Sequence, residues 1–170
     1  MKRLLLVVIG ALLLSGCTTS SQSNSQYSAD DLTFAEMMIP HHEQAIEISE
    51  IAFLKTSNPD VLQLAKQIKD AQSPEIEIMK SWTGVKLSTH AGHMMDGMLS
   101  NDELSALRDA QGKEFNQLFL RAMIKHHEGA IKMAKAILNS TNKDVADLGS
   151  SVINVQELEI SKMKELLLKY

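Results

Sequence analysis

The sequence predicts an all-α protein, a duplicated helical hairpin closing into a four-helix bundle. Three observations lead there. Met38 to Ala45 (MIPHHEQA) returns 85 residues later as Met123 to Ala130 (MIKHHEGA), within a gapless match of Phe34 to Phe53 onto Phe119 to Leu138. A second block, Asn58 to Lys80, matches Asn142 to Lys164 after a one-residue slip and keeps Asn58, Asp60, Val61, Leu64, Gln72, Glu75, Ile76, Met79 and Lys80 in both copies. Aromatic residues make up only 4% of the chain while Ala, Ile, Leu and Met dominate its apolar positions, as in an aliphatic helical core. A repeat this long exceeds a solenoid unit and suits a duplicated supersecondary element.

The N-terminus reads as a leader. Lys2 and Arg3 precede an apolar run from Leu4 to Leu14, followed by Leu14-Ser15-Gly16-Cys17. That is a signal peptide ending in a lipobox, residues 1–16, after which Cys17 becomes the acylated N-terminus. The run falls short of the roughly twenty apolar residues needed to span a bilayer. Residues 17–29 form a polar tether with too few apolar groups to fold. Cys17 is the sole cysteine, so the remaining chain has no disulfide, and any metal ligands must be His, Met, Glu, Asp or Gln. Loss of the leader leaves 15 Lys+Arg against 21 Asp+Glu, a net charge near −6 that argues against nucleic acid as a partner.

Residues 30–170 then hold the bundle as repeats of about 30–83 and 113–168. The first long helix is expected from Leu32 to Leu54, with Asp30 and Asp31 at its positive end. At about 100° per residue, Phe34, Met38, Ala45, Ile48 and Ala52 share a stripe, His41 and His42 flank it, and Glu36, Glu43, Glu47 and Glu50 lie behind. Pro40 removes one backbone hydrogen bond just before the histidine pair and predicts a kink. Asn58-Pro59 caps the second helix, which carries Val61, Leu64, Ala65, Ile68, Gln72, Glu75, Ile76 and Met79 on one face and ends near Trp82 to Gly84.

Between the copies lies a glycine-containing loop with His90, His93, Met94, Met95 and Met98. Ser100 and Glu103 form a capping box for a short helix that ends by Gly112. A long helix follows from Lys113 to Asn139, with Met123 central, His126 and His127 flanking, and Glu128 paired outward with Lys132. The last helix, after Asn142, turns Val145, Leu148, Val152, Gln156, Glu159, Ile160 and Met163 inward.

The bundle interior thus collects four His, two Gln, two Glu and several Met. Each buried polar group left unpaired costs about 1 to 3 kcal/mol, so they satisfy one another or bind something. All six histidines occur in three close pairs. Met38 and Met123 each stand four residues before the second histidine of a pair, which puts thioether and imidazole on one helical face. Thioethers favour Cu(I), with silver as its mimic; iron and zinc suit this donor set less. The candidate metal ligands are Met38, His41, His42, Gln72, Glu75, Met79, Met123, His126, His127, Gln156, Glu159 and Met163. The loop set His90, His93, Met94, Met95 and Met98 is a second candidate site, or a methionine flap over the bundle end.

The paired MI-x-HH-E-x-AI blocks, each followed by Q-x-x-EI-x-x-M, resemble the exported bacterial domain-of-unknown-function family 305 over about Asp31 to Leu167. The resemblance implies a ferritin-like bundle that binds copper through Met38, His41, His42, Met123, His126 and His127, with the loop contributing. Lys125 stands where the first copy has Pro40, so the halves need not bind equally. On this reading the protein is a non-enzymatic copper-binding lipoprotein facing the periplasm if the cell has two membranes. A ferritin-like metal-dependent oxidase is the alternative. It is weakened because such centres draw a carboxylate from each of four helices and this core offers two Glu. A metal-free scaffold binding another envelope protein is a third reading. Labelled palmitate should enter the chain in cells, and unchanged incorporation in Cys17→Ala would overturn the anchor.

Overall fold

The computed structural model describes residues 26–88 and 92–170; the expected leader, Cys17 and His90 lie outside the described residues. Its described elements are α1 (Ala29–Lys55), α2 (Pro59–Lys80), α3 (Asn101–Asp109), α4 (Gly112–Ala134), a 3-10 turn (Lys135–Ile137) and α5 (Lys143–Leu167). Helices α1 and α2 form one antiparallel hairpin and α4 and α5 the other, and the two join mainly through α1 against α4. The all-α bundle expected from the repeat is the fold observed.

Local chemistry sets the boundaries. Ser28 caps α1 by accepting from the Asp31 amide, while Asp31 accepts from the Ser28 amide at 2.8 Å. Tyr27 stacks on Trp82 with ring centroids 5.0 Å apart, so the fold takes in Tyr27, Ser28 and Ala29, which the sequence assigned to the tether. Asn58 and Asn142 cap α2 and α5, each preceded by the same hydroxyl turn, Thr56 accepting from Asn58 N and Ser140 from Asn142 N. The Ser100 and Glu103 box opens α3 as expected. Helix α1 runs unbroken through Pro40, and α2 through Pro74.

The one-residue slip has a structural counterpart. The first copy reaches its second cap with one residue more than the second copy, and in the second copy the end of the expected helix tightens into the 3-10 turn Lys135–Ile137. A 3-10 turn rises about 2.0 Å per residue against 1.5 Å in an α-helix, so the shorter chain regains part of its span.

The core is divided. One apolar cluster gathers Ala45, Ile48, Leu64, Ile68, Phe115, Phe119, Met123, Ile160 and Met163. The other gathers Phe34, Met38, Ile39, Ile76, Met79, Ala130, Val145 and Val152. In each long helix the chain passes from one cluster to the other across its polar positions: His41 and His42, Gln72, His126 and His127, or Gln156, all buried. A polar layer therefore crosses the bundle at one level.

The connecting segment straps this level. Gln44 donates to the Leu99 carbonyl at 2.9 Å and accepts from the Leu99 amide at 2.8 Å. On the other side the strap lies so close to α4 that a Cβ on Gly129 would stand 1.9 Å from the Asp96 carbonyl oxygen. Gly97, at φ +86°, would likewise bring a Cβ within 2.5 Å of the Lys125 carbonyl. Two surface expectations change accordingly. Lys132 bonds Asp96 of the strap at 2.7 Å rather than Glu128, whose cationic neighbour is Lys164 at 3.9 Å. Glu36, expected behind the stripe, is buried under the chain that leaves α2 and accepts from the Lys86 amide at 2.7 Å. Gly129→Ala is expected to destabilise the fold by about 3 kcal/mol, the upper end for overpacking, in urea denaturation. A change below about 0.5 kcal/mol would contradict the strap's close approach.

Candidate metal centre

Helices α1 and α4 each deliver their histidine pair from the middle of a long amphipathic helix, where neither flank is open to water. His41, His42, His126 and His127 are all fully buried. The equivalents His41 and His126 face each other across the hairpin interface, ring centroids 3.8 Å apart. Within each pair the rings stand 6.5 Å apart at nearly equal tilts, 57° and 59°. His42 Nε2 bonds Glu75 Oε2 of α2 at 2.9 Å, and His127 Nε2 bonds Glu159 Oε2 of α5 at 2.8 Å. The site thus repeats about an approximate twofold axis between His41 and His126.

The strap breaks that symmetry. The Asp96 carbonyl lies 3.1 Å from His41 Nε2, and a carbonyl oxygen only accepts, so this nitrogen carries the proton. Neither ring nitrogen of His126 has a hydrogen-bond partner. The motif residue after His-His-Glu follows the same division: Gln44 in the first copy bonds the strap, and Gly129 in the second makes room for it.

Most of the unsatisfied buried polar atoms among the described residues belong to this layer. They are Nδ1 of His41, His42, His126 and His127, Nε2 of His126, and both amide atoms of Gln72 and Gln156; Asn116 Oδ1 stands apart from the centre. Met38 and Met79 flank the layer in one apolar cluster, Met123 and Met163 in the other, and all four are fully buried. Each half of the site thus combines two thioethers, a carboxylate-bonded imidazole and an amide. Among the described residues no three His, Asp or Glu side chains are grouped to hold one ion. The further donors at this level are the Gln72 and Gln156 amides and the flanking thioethers.

Burial keeps the central imidazoles neutral. The His41 pKa is lowered to about 3, first by desolvation and then by His42. His126 is pushed well below the usual histidine range by desolvation, with His41 and His127 adding to it. Neutral imidazole is the form that ligates metals.

The structure brings together His41, His42, His126, His127, Glu75 and Glu159, with Gln72 and Gln156 at the same level. The loop candidates are divided: Met95 is buried, Met98 half-buried, and His93 and Met94 exposed. Asp96 and Gln44 were not among the sequence candidates. Asp96 acts through its backbone, which has no residue signature, whereas Gln44 was visible as one of two differences between the histidine motifs.

The family description Domain of unknown function (DUF305) matches residues 31–167. The chain belongs to the DUF305 family. A DUF305 fragment from Deinococcus radiodurans shares 25% identity and a TM-score of 0.75, covering 85% of this chain and 99% of the other. A candidate secreted DUF305 protein from Streptomyces coelicolor shares 30% identity and a TM-score of 0.74, covering 84% and 95%. CopM in its Cu(II)-bound form shares 34% identity and a TM-score of 0.71, covering 82% and 96%, and CopM has also been solved bound to Cu(I) and to silver. No curated protein sequence matches this DUF305 chain.

An imidazole held neutral in the fold but protonated once the chain unfolds costs stability in acid. The loss sets in below the ordinary value of 6.5, and for His41 it continues to its folded value of about 3. Metal-free protein should therefore lose stability as pH falls below about 6.5, each of the two lowered histidines contributing up to about 1.4 kcal/mol per pH unit. Urea denaturation between about pH 6.5 and 5, where carboxylates stay ionised, checks this. An equal slope in the His41→Gln, His126→Gln double variant would contradict it.

Proposed function

We propose that this DUF305 protein is an exported, non-enzymatic binder of copper, preferring Cu(I), which buffers or sequesters the ion at the cell envelope from a lipid anchor on Cys17. The observation that carries this reading is the juxtaposition of buried, unpartnered imidazole nitrogens with buried thioethers in each half of the polar layer. Polarisable sulfur prefers the monovalent, soft ion, and neutral imidazole accepts copper in either oxidation state. Cys17 is the sole cysteine, and its acylation would leave the mature chain without a thiol, which suits an oxidising compartment.

The residues that would hold copper fall into two halves. Met38, Met79, His42 and Gln72 form one, Met123, Met163, His127 and Gln156 the other, with His41 and His126 between them. The similarity to CopM, solved with Cu(II), Cu(I) and silver, supports the choice of ion. Comparison with the secreted DUF305 candidate supports export. The loop set His90, His93, Met94, Met95 and Met98 would supply the second site; of its described members, His93 and Met94 are exposed, Met94 at 60%. The layer is met by two half-buried carboxylates, Glu75 and Glu159, each bonded to a histidine, where a carboxylate-rich oxidase centre draws one from each of four helices.

Titration of Cu(I) against a competing chelator tests the proposal. Replacing His41, His42, His126 and His127 by Ala should abolish core binding and leave the loop site. Absence of tight Cu(I) binding in the unaltered protein would overturn the reading, and stoichiometric Fe(II) oxidation with oxygen consumption would favour the oxidase. Free Cu(I) at about a hundredfold excess over its Kd should add about 2.7 kcal/mol of stability.

A further inference from the structure

We propose that Glu75 and Glu159 are positioning residues rather than metal ligands, and that they make Nδ1 the ligating atom of His42 and His127. The inference rests on the copper-binding reading and specifies how its site is prepared. A carboxylate only accepts hydrogen bonds, so the contacts of 2.9 Å and 2.8 Å place the ring proton on Nε2 in both histidines. A neutral ring protonated at Nε2 has its lone pair on Nδ1. Those two Nδ1 atoms are buried and unpartnered. The tautomer is thus fixed from outside the layer, and the free lone pair is the atom left for the ion.

The sequence separation of histidine and carboxylate, 33 residues in one hairpin and 32 in the other, shows that each pair spans its own helical hairpin. Helix α2 holds Glu75 against α1, and α5 holds Glu159 against α4. The carboxylates keep side-chain exposures of only 12% and 11%, so water competes little for their oxygens. In each carboxylate it is Oε2 that bonds imidazole, and the buried atoms of the layer without a partner are the imidazole Nδ1 atoms and the two side-chain amides, beside His126 Nε2. In the first half the Asp96 carbonyl does for His41 what Glu75 does for His42, again taking Nε2 and leaving Nδ1 without a partner. A carboxylate or carbonyl behind a ligating histidine fixes the ring and raises the basicity of the opposite nitrogen, and its loss typically weakens metal binding about 10- to 100-fold.

Histidine-labelled full-length protein, studied by nitrogen-15 NMR with and without Ag(I), tests this directly. Before metal is added, His42 and His127 should show the Nε2–H tautomer. With Ag(I) bound, the resonance that shifts and couples to silver should be Nδ1. Glu75→Ala should release the His42 tautomer and weaken Ag(I) binding by about 10- to 100-fold. Glu75→Gln, which still offers an oxygen to Nε2, should recover most of that loss. The same pair of substitutions at Glu159 should act on His127 alone.

Silver on Nε2, an Nδ1–H tautomer in the metal-free protein, or Ag(I) affinity unchanged in both alanine variants would overturn the inference while leaving copper binding intact. A protein that takes up neither Ag(I) nor Cu(I) would overturn the functional reading and this inference with it.

Discussion

Everything in this molecule is arranged around a layer of buried nitrogen and oxygen that divides an otherwise aliphatic core. Such a layer costs stability when its atoms lack partners, because each donor or acceptor has lost its hydration. The bundle limits that cost by giving most of the histidines one good hydrogen bond, to Glu75, Glu159 or the Asp96 carbonyl, and leaving the other side of each ring bare. Replacing the layer by Leu and Ile would give a simpler core. It is present in both copies of the repeat, and the copper-binding proposal gives it a use.

The approximate twofold axis gives the layer two halves, and the strap makes them unequal. The same segment, Asp96 to Leu99, lies over both α1 and α4, and two equivalent surfaces cannot each accept one asymmetric segment in the same way. Gln44 solves the problem on one side with two hydrogen bonds and Gly129 on the other with the absence of a side chain. As a result His41 is held by the strap and His126 is not. The halves therefore differ in how their central histidines are bonded, although both copies carry the same His, Gln, Glu and Met set. Lys132 and Asp96 close the strap from outside, where their exposure keeps the ion pair weak.

Much of this was legible in the sequence because the repeat states the pairing twice. The identity of Gln72, Glu75 and Met79 with Gln156, Glu159 and Met163 marked them as interior even though polar residues usually lie outside. Asn58-Pro59 and Ser100 to Glu103 gave their helix starts through local cap chemistry, which needs no tertiary information. What the helical wheel missed came from segments without periodicity. Glu36 reads as a solvent residue until the chain at Lys86 covers it, and Glu128 reads as the partner of Lys132 until Asp96 arrives from the strap. A backbone carbonyl such as that of Asp96 has no side-chain identity, so its place on His41 could not be read from composition or spacing.

The strap also sets an order of assembly. Each hairpin is closed by neighbours in sequence, whereas the strap's bonds to His41 and Gln44 join residues 55 apart and its bond to Lys132 spans 36. Local pairings form early and distant ones late, since loop-closure entropy opposes them. In a chain that emerges from its N-terminus, the first hairpin must wait with its half of the polar layer facing water until α4 arrives. In the finished bundle the His nitrogens and Met sulfurs of that half are fully buried, so packing of the second hairpin completes their removal from water.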